Sequence, residues 1–429
     1  MAQPAQRARK TLGRMIRAWR LLKSLTRLRW RFKQPKQRDV LLYFKTGAEV
    51  ISPYFKPNEF QVLDLRESEV NIAIAIRCLL TGNLSAENYA RQFIKVAKPK
   101  LILTFIDNFP PYYLLKNEFP KTKVWLIQNG VRSDRGDLFG LLKATPPRSN
   151  YILDKMFVFG TAIGKKYLDY ISGETVVHGS LKNNLVPISP PKKNTVAYIS
   201  TYRPGQKRSF VVPESRPEQP ITYEQIVTRR ETAILWLAEY CTENQLQLKI
   251  VGKDENPQRE ESYYKSLLQN YKFEFVAREI TSSSYEAIDK SEIVVFTSST
   301  LGYESLARGK RTAALMLDAE IIGSEALRFG WPAELQDDGP FWTHQLNKSR
   351  LREVIDFLRK VDDAEWDKIR KQTIKDVIVF DPDNSKFKES VNQIRQSWQL
   401  QQSNNCLPTS VITDPLGSHF ANINLHFDF

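Results

Sequence analysis

The chain has 429 residues, 41% of them apolar and 26% charged, and carries a net charge of +15. That length allows two domains with a core each, and that composition is of a soluble globular protein, not a disordered or fibrous one. No apolar run reaches the ~18 residues of a membrane-spanning helix, the three scattered cysteines exclude a disulfide framework and fit a reducing compartment, and the four histidines lack metal-ligand spacing, so no metal is expected.

The charge is local. Residues 1–38 hold 13 of the 63 Lys and Arg and no acid, which leaves the remainder with 50 basic against 48 acidic residues. Leu12, Met15, Ile16, Trp19 and Leu22 recur at helical spacing, with Trp30 and Phe32 further on among the cations. We read residues 1–38 as a basic N-terminal amphipathic helix, with residues 7–33 lying on an anionic membrane surface and the protein held at the cytoplasmic face. A transit peptide, a nucleic-acid-binding arm and a solvated tail are the alternatives. The nearly neutral body argues against nucleic acid as a partner, because a nucleic-acid enzyme carries basic groups around its cleft as well.

From Asp39 onward, short apolar strands alternate with amphipathic helices. Strands are expected at Val40–Phe44, Gln61–Leu65, Leu101–Phe105, Val124–Ile127 and Met156–Phe159, and helices at Val70–Leu80, Ala86–Ala97 and Ala162–Ile171. The alternation predicts a parallel doubly wound sheet, with ligands beyond the C-terminal strand ends. Asp107-Asn108, Gln128-Asn129 and Arg132 stand at those ends.

A proline-rich stretch, Pro187 to Pro191, then opens a second α/β series. Its strands are expected at Thr195–Ser200, Leu246–Val251, Phe273–Val276, Ile293–Phe296 and Thr312–Leu317, the last closing the sheet. A long helix is expected over Tyr223–Asn244, and residues 204–222 read as a loop above the cleft. The stretch around Ser298 carries the most chemistry. A β-branched strand ends in Thr297, Ser298 and Ser299, and Thr300 leads into a helix closed by Gly309. Free N–H groups, the positive end of a helix dipole and hydroxyl donors converge there, which makes an anion site. An ordinary N-cap cluster is the plain alternative. Neither the dinucleotide nor the P-loop glycine motif occurs.

The fold expected is α/β, with two Rossmann-like domains facing a cleft. The domains are residues 39–190 (acceptor) and 191–380 (donor), followed by a crossing helix and an irregular tail over 381–429. This is the plan of GT-B glycosyltransferases. Three stretches add a resemblance: Trp125-Leu-Ile-Gln-Asn-Gly-Val-Arg132, His178-Gly-Ser-Leu-Lys-Asn-Asn184 and Ser298-Ser-Thr-Leu-Gly-Tyr-Glu-Ser-Leu-Ala-Arg-Gly-Lys310. They resemble motifs of bacterial O-antigen and surface-carbohydrate biosynthesis proteins. More remotely, the hydroxyl turn is similar to the Ser-Ser motif of bacterial sialyltransferases and teichoic-acid glycerophosphotransferases. In those relatives it holds donor phosphate and is paired with a His-Pro; here Gly252-Lys253 stands in that place.

The resemblance implies metal-independent glycosyl transfer without a cofactor, from a nucleotide-sugar donor to a lipid-linked or polysaccharide acceptor. Ser298, Ser299, Thr300 and Lys253 would hold the leaving phosphate, Arg203 would neutralise its charge, and Glu304 would hold the donor ribose. Asp107, and after it Asp134, are the expected acceptor-side bases. Gln128, Asn129 and Arg132 would line the acceptor or donor sugar site. A non-catalytic scaffold or polysaccharide-binding protein of the same fold is the second reading.

Overall fold

A computed structural model describes residues 29–65, 69–134, 136–144, 150–203, 205, 207–213, 215–280 and 282–400, with backbone alone over 401–405. Residues 1–28 of the helix expected over residues 1–38, and the tail past 405, lie outside the described residues. The chain divides into a unit ending at Phe387 and a second beginning at Lys388. The second continues the Ser385–Asn405 helix.

Strand β1 (Arg29–Arg31) corrects the expectation of a helix at this end of the basic segment. After β2 (Val40–Tyr43) and β3 (Phe60–Leu63) comes β4 (Glu69–Asn71), which pairs with β1 in parallel. Arg29 stands opposite Glu69 in that ladder, and Glu69 forms an ion pair with Arg31 diagonally across it at 2.7 Å, a partner 38 residues away in sequence.

The first large sheet adds β5 (Leu101–Thr104), β6 (Lys123–Ile127), β7 (Ile152–Val158) and β8 (Ser172–Val177), in the order β3-β2-β5-β6-β7-β8, with every pairing parallel. The second is built from β9 (Lys192–Ile199), β10 (Gln247–Val251), β11 (Glu274–Val276), β12 (Ser291–Phe296), β13 (Arg311–Leu315) and β14 (Trp342–Thr343). Its order is β11-β10-β9-β12-β13-β14, again all parallel. Sheets covered on both faces need strands that are apolar throughout. Leu-Ile-Leu-Thr in β5 and the Ile293–Phe296 run in β12 are buried along their length. Two strands of these sheets escaped the sequence reading: β8, whose Ser-Gly-Glu start is exposed, and β14, only two residues long, which lies beyond β13 at the edge. Outside them β4 was missed as well, for Val70 and Asn71, expected to open a helix, pair with β1 and the helix begins at Ile72.

Strand order positions the site. In the second sheet the direction of winding reverses between β9 and β12, and in the first between β2 and β5. Ligands of doubly wound sheets enter at such reversals, beyond the carboxyl ends of the strands. The Tyr223–Glu243 helix opens with a capping box, Thr222 with Gln225, and its first half borders the reversal in the second sheet. After the last helix pair, Lys348–Lys360 and Asp363–Ile374, the chain returns to the first sheet. Val379 N–H donates to Phe159 O at 2.9 Å, and Phe387 packs on Tyr54, Trp125 and Phe157. Among the described residues no helix is long and apolar enough to cross a membrane.

Candidate functional site

The Thr297–Thr300 turn and the Ser200–Arg203 turn leave β12 and β9 side by side at the reversal. Between them, the Tyr223–Glu243 helix and the loop after β6 lies a cavity of about 460 Å³. That is the size range of small-molecule sites.

The turn is built for close approach. Ser299 is the N-cap of the Thr300–Ala307 helix with extended backbone, φ −154° and ψ 136°, yet its hydroxyl makes no capping bond. It faces the cavity with Ser298, and the first N–H groups of the helix have no partner within the helix. The helix can sit this close to β12 because residue 302 is glycine: a Cβ there would lie 2.1 Å from the Phe296 ring. Thr300 has a different task. Its Oγ1 accepts from Val131 N–H at 3.2 Å and so joins the helix to the loop after β6.

Cations surround the turn. Arg230 donates to Ser298 Oγ at 3.0 Å and is paired with Asp318 behind it. Arg203 and Lys253 lie together at the rim and form no ion pair with any described residue. Protein packed around Lys253, together with the charges of Arg203 and Arg230, pushes its ammonium pKa down to about 8, although the side chain keeps an exposed face to solvent. Glycine at 252 lets this turn form, since a Cβ would meet the Phe275 ring at 2.7 Å. The buried Glu260 carboxylate then accepts from both Lys253 N–H and Asp254 N–H at 2.9 Å, and from Ser200 Oγ. The cavity also has an aromatic and apolar lining: Tyr202 and Tyr263 pack at 4.9 Å, and Ile226, Ile234 and Leu267 line it with them.

The first sheet contributes Arg132, Ser133 and Asp137 to the same cavity. Arg132 is held by Asp107, from Nε to Oδ2 at 2.9 Å and through a second contact to Oδ1. Burial works against the guanidinium charge, but Asp107 outweighs it and the Arg132 pKa is raised. Asp107 also accepts from Tyr167 Oη at 2.9 Å and is completely buried. Asp134 accepts from Ser324 Oγ at 3.2 Å, a contact between the two halves. Gln128 is buried and bonds Gly130 O and Phe159 N–H, while Asn129 beside it is half-buried and outside the cavity wall.

Glu304 lies one turn into the helix, buried away from the cavity wall. Its Oε1 accepts from Ser180 Oγ at 2.5 Å and from Tyr285 Oη at 3.0 Å. Burial raises its carboxyl pKa, against the pull of those two hydroxyls and of Lys182. One turn further, Arg308 pairs with Asp289, both fully buried, and donates to the carbonyls of Asn183, Val186 and Pro187.

The cavity thus gathers Ser298, Ser299, Thr300, Arg203 and Arg132 from the sequence-level site, with Lys253 at its rim. It leaves Asp107, Gln128 and Glu304 behind its wall. Sequence reasoning missed Arg230, Asp137, Tyr202 and Tyr263. An Arg229-Arg230 pair inside a long helix reads as a solvated face, and only Asp318, 88 residues away, marks Arg230 as buried.

Such an arrangement can bind a polyanion on the hydroxyl turn and a planar apolar group against the tyrosines. Comparisons with known proteins bear on the fold and the family. No curated protein matches the chain. A solved structure titled "putative UDP-N-acetylglucosamine 2-epimerase" from Listeria monocytogenes is similar at a TM-score of 0.51 and 13% identity, over 86% of this chain and 97% of that one. A variant of the wall teichoic acid polymerase TagF with CDPG is similar at a TM-score of 0.50 and 10% identity, over 93% and 100%. At these identities the likeness is one of fold, the two-sheet GT-B type. Residues 125–395, more than half of the chain, match the model of a family described as "putative O-antigen biosynthesis protein", and to that family the chain belongs.

Proposed function

We propose that the protein is a metal-independent glycosyltransferase that moves a sugar from a nucleotide-activated donor to a surface polysaccharide or lipid-linked acceptor at the cytoplasmic membrane face. The observation that carries this reading is the cavity at the β9–β12 reversal. There Ser298 and Ser299, with hydroxyls outside the helix cap, share the wall with Arg203, beside which lies Lys253, and neither cation forms an ion pair among the described residues. Family membership and the two-sheet fold support the same direction.

The donor diphosphate or monophosphate sits on the Ser298–Thr300 turn, and its charge is met by Arg203, Lys253 and Arg230. Those donors are aimed before reaction at the place where charge grows on the leaving group. The nucleobase lies along Tyr202 and Tyr263. Arg132, held rigid by Asp107, reaches the sugar from the opposite half. With its carboxylate committed to Arg132 and Tyr167, Asp107 is assigned to positioning and not to base catalysis. Glu304 is likewise assigned to joining the halves, through Ser180, and not to ribose. Gln128 ties strand ends together, and Asn129 flanks the acceptor side. Asp137, which faces the cavity from the first half, replaces Asp107 as the base that accepts the acceptor's proton, with Asp134 second. The basic residues 7–33 bring the enzyme to an anionic membrane.

The test is a thermal-shift screen against UDP-, GDP-, CMP- and CDP-linked sugars. One nucleotide class should raise the melting temperature, and Ser299→Ala and Arg203→Ala should each weaken its binding about tenfold or more. Asp137→Asn should leave that binding intact and abolish transfer. A chain that responds to no nucleotide would be a scaffold.

A further inference from the structure

We propose that the exposed apolar face of the Ile72–Leu80 helix, together with the basic aromatic stretch at its start, docks onto an anionic lipid surface. Ile74 and Cys78 turn one side of this helix to the core. On the other side Ile76, Leu79 and Leu80 are 50%, 62% and 82% exposed, and Leu84 follows at 69%. At 100° per residue, the three helical side chains fall within an arc of about 100°, opposite the buried pair. A surface helix ordinarily turns polar groups outward. This one is apolar on both sides, with Arg77 its single charged residue. No other described helix exposes three large apolar side chains.

The start of the helix is bound to the basic stretch. Asn71 ends β4, caps the helix by accepting from Ile74 N–H at 3.3 Å, and donates from its amide to Lys33 O at 2.7 Å. Along that stretch Trp30 and Phe32 are exposed between Arg29, Lys33 and Lys36. Rings and cations therefore stand at one end, and leucines at the other, of a nine-residue helix about 13 Å long. Exposed apolar clusters mark interaction surfaces. Cations and amphipathic rings beside an apolar face are what headgroups and acyl chains of an anionic bilayer accept together.

This surface shares residues 29–33 with the segment read above as membrane-bound and adds the Ile72–Leu80 helix to it; it deepens that reading, so the two are tested apart. The full chain is floated with phosphatidylglycerol–phosphatidylethanolamine vesicles and with phosphatidylcholine vesicles. The unaltered chain should float with the first and not the second. Leu79→Gln with Leu80→Gln should lower its partition at least tenfold, with an unchanged melting temperature, since both side chains are exposed. Flotation of this variant equal to that of the unaltered chain overturns the proposal. So does a dimer, seen by sedimentation without vesicles, that the same substitutions dissociate, for the face is then an interface between copies. If Trp19→Ala with Leu22→Ala abolishes flotation while the leucine variant keeps it, the N-terminal segment acts alone and the present proposal falls. If the unaltered chain floats with neither vesicle, both membrane readings fall.

Discussion

Ser180 donates to the buried Glu304 carboxylate at 2.5 Å, across 124 residues of sequence. The bond joins the helix start after β8 to the helix behind the hydroxyl turn, and Tyr285 completes the acceptor's shell at 3.0 Å. Glu304→Ala strands two buried hydroxyls and should cost about 1–3 kcal/mol in urea unfolding. Glu304→Gln keeps an acceptor and should cost less. Nucleotide affinity should change by less than about threefold in the Gln variant; a selective loss of affinity at full stability would return Glu304 to the ribose.

Gly302 packs the same helix against the β12 strand. A Cβ at this position meets Phe296 Cγ at 2.1 Å in the core. Gly302→Ala should destabilise the protein by about 1–3 kcal/mol or more, as overpacked cores do. Phe296→Ala in the same chain removes the Cγ and Cδ atoms the new methyl strikes, so the double variant should lose less than the sum of the two single losses, measured as denaturation midpoints.

His178 is fully buried against Phe157, and burial pushes its imidazole pKa from 6.5 down to about 4, against the pull of Asp381. The fold therefore favours the neutral ring. Its contribution is complete above pH 6.5 and is lost as pH falls toward 4, by roughly 3 kcal/mol at most. His178→Gln should flatten the pH dependence of unfolding free energy in that window. Equal slopes in the two proteins would falsify the assignment.

Lys253 offers a second pH test, this time of binding. With its pKa near 8, the ammonium is charged below that pH and neutral above it. A bound nucleotide phosphate should be held most tightly at pH 7 and progressively less from pH 8 to 9. Lys253→Met should bind more weakly at pH 7 and show a shallower slope, by calorimetric titration with whichever nucleotide raises the melting temperature.

Much of the fold was legible because strands buried on both faces must be apolar along their length, so Leu101–Thr104 and Ile293–Phe296 announce themselves. The hydroxyl turn was legible for a local reason too: strand, polar turn and helix follow one another within about ten residues. β8 and β14 were not, since one begins in exposed Ser-Gly-Glu and the other has two residues. Arg29–Arg31 was misread as helix because its partner Glu69 lies 38 residues away.

The sequence by itself determined the alternation of elements, the position of the Ser298–Thr300 turn and the concentration of charge before Asp39, all properties of neighbouring residues. Only the tertiary structure decided which polar groups are free to act. Asp107 and Glu304 are carboxylates at promising places, but Arg132 and Tyr167 take up the first and Ser180 and Tyr285 the second. Arg230 and Asp137 enter the cavity wall for the same reason. A side chain's availability depends on burial and on partners brought from distant sequence, and those are set when the sheets and helices pack.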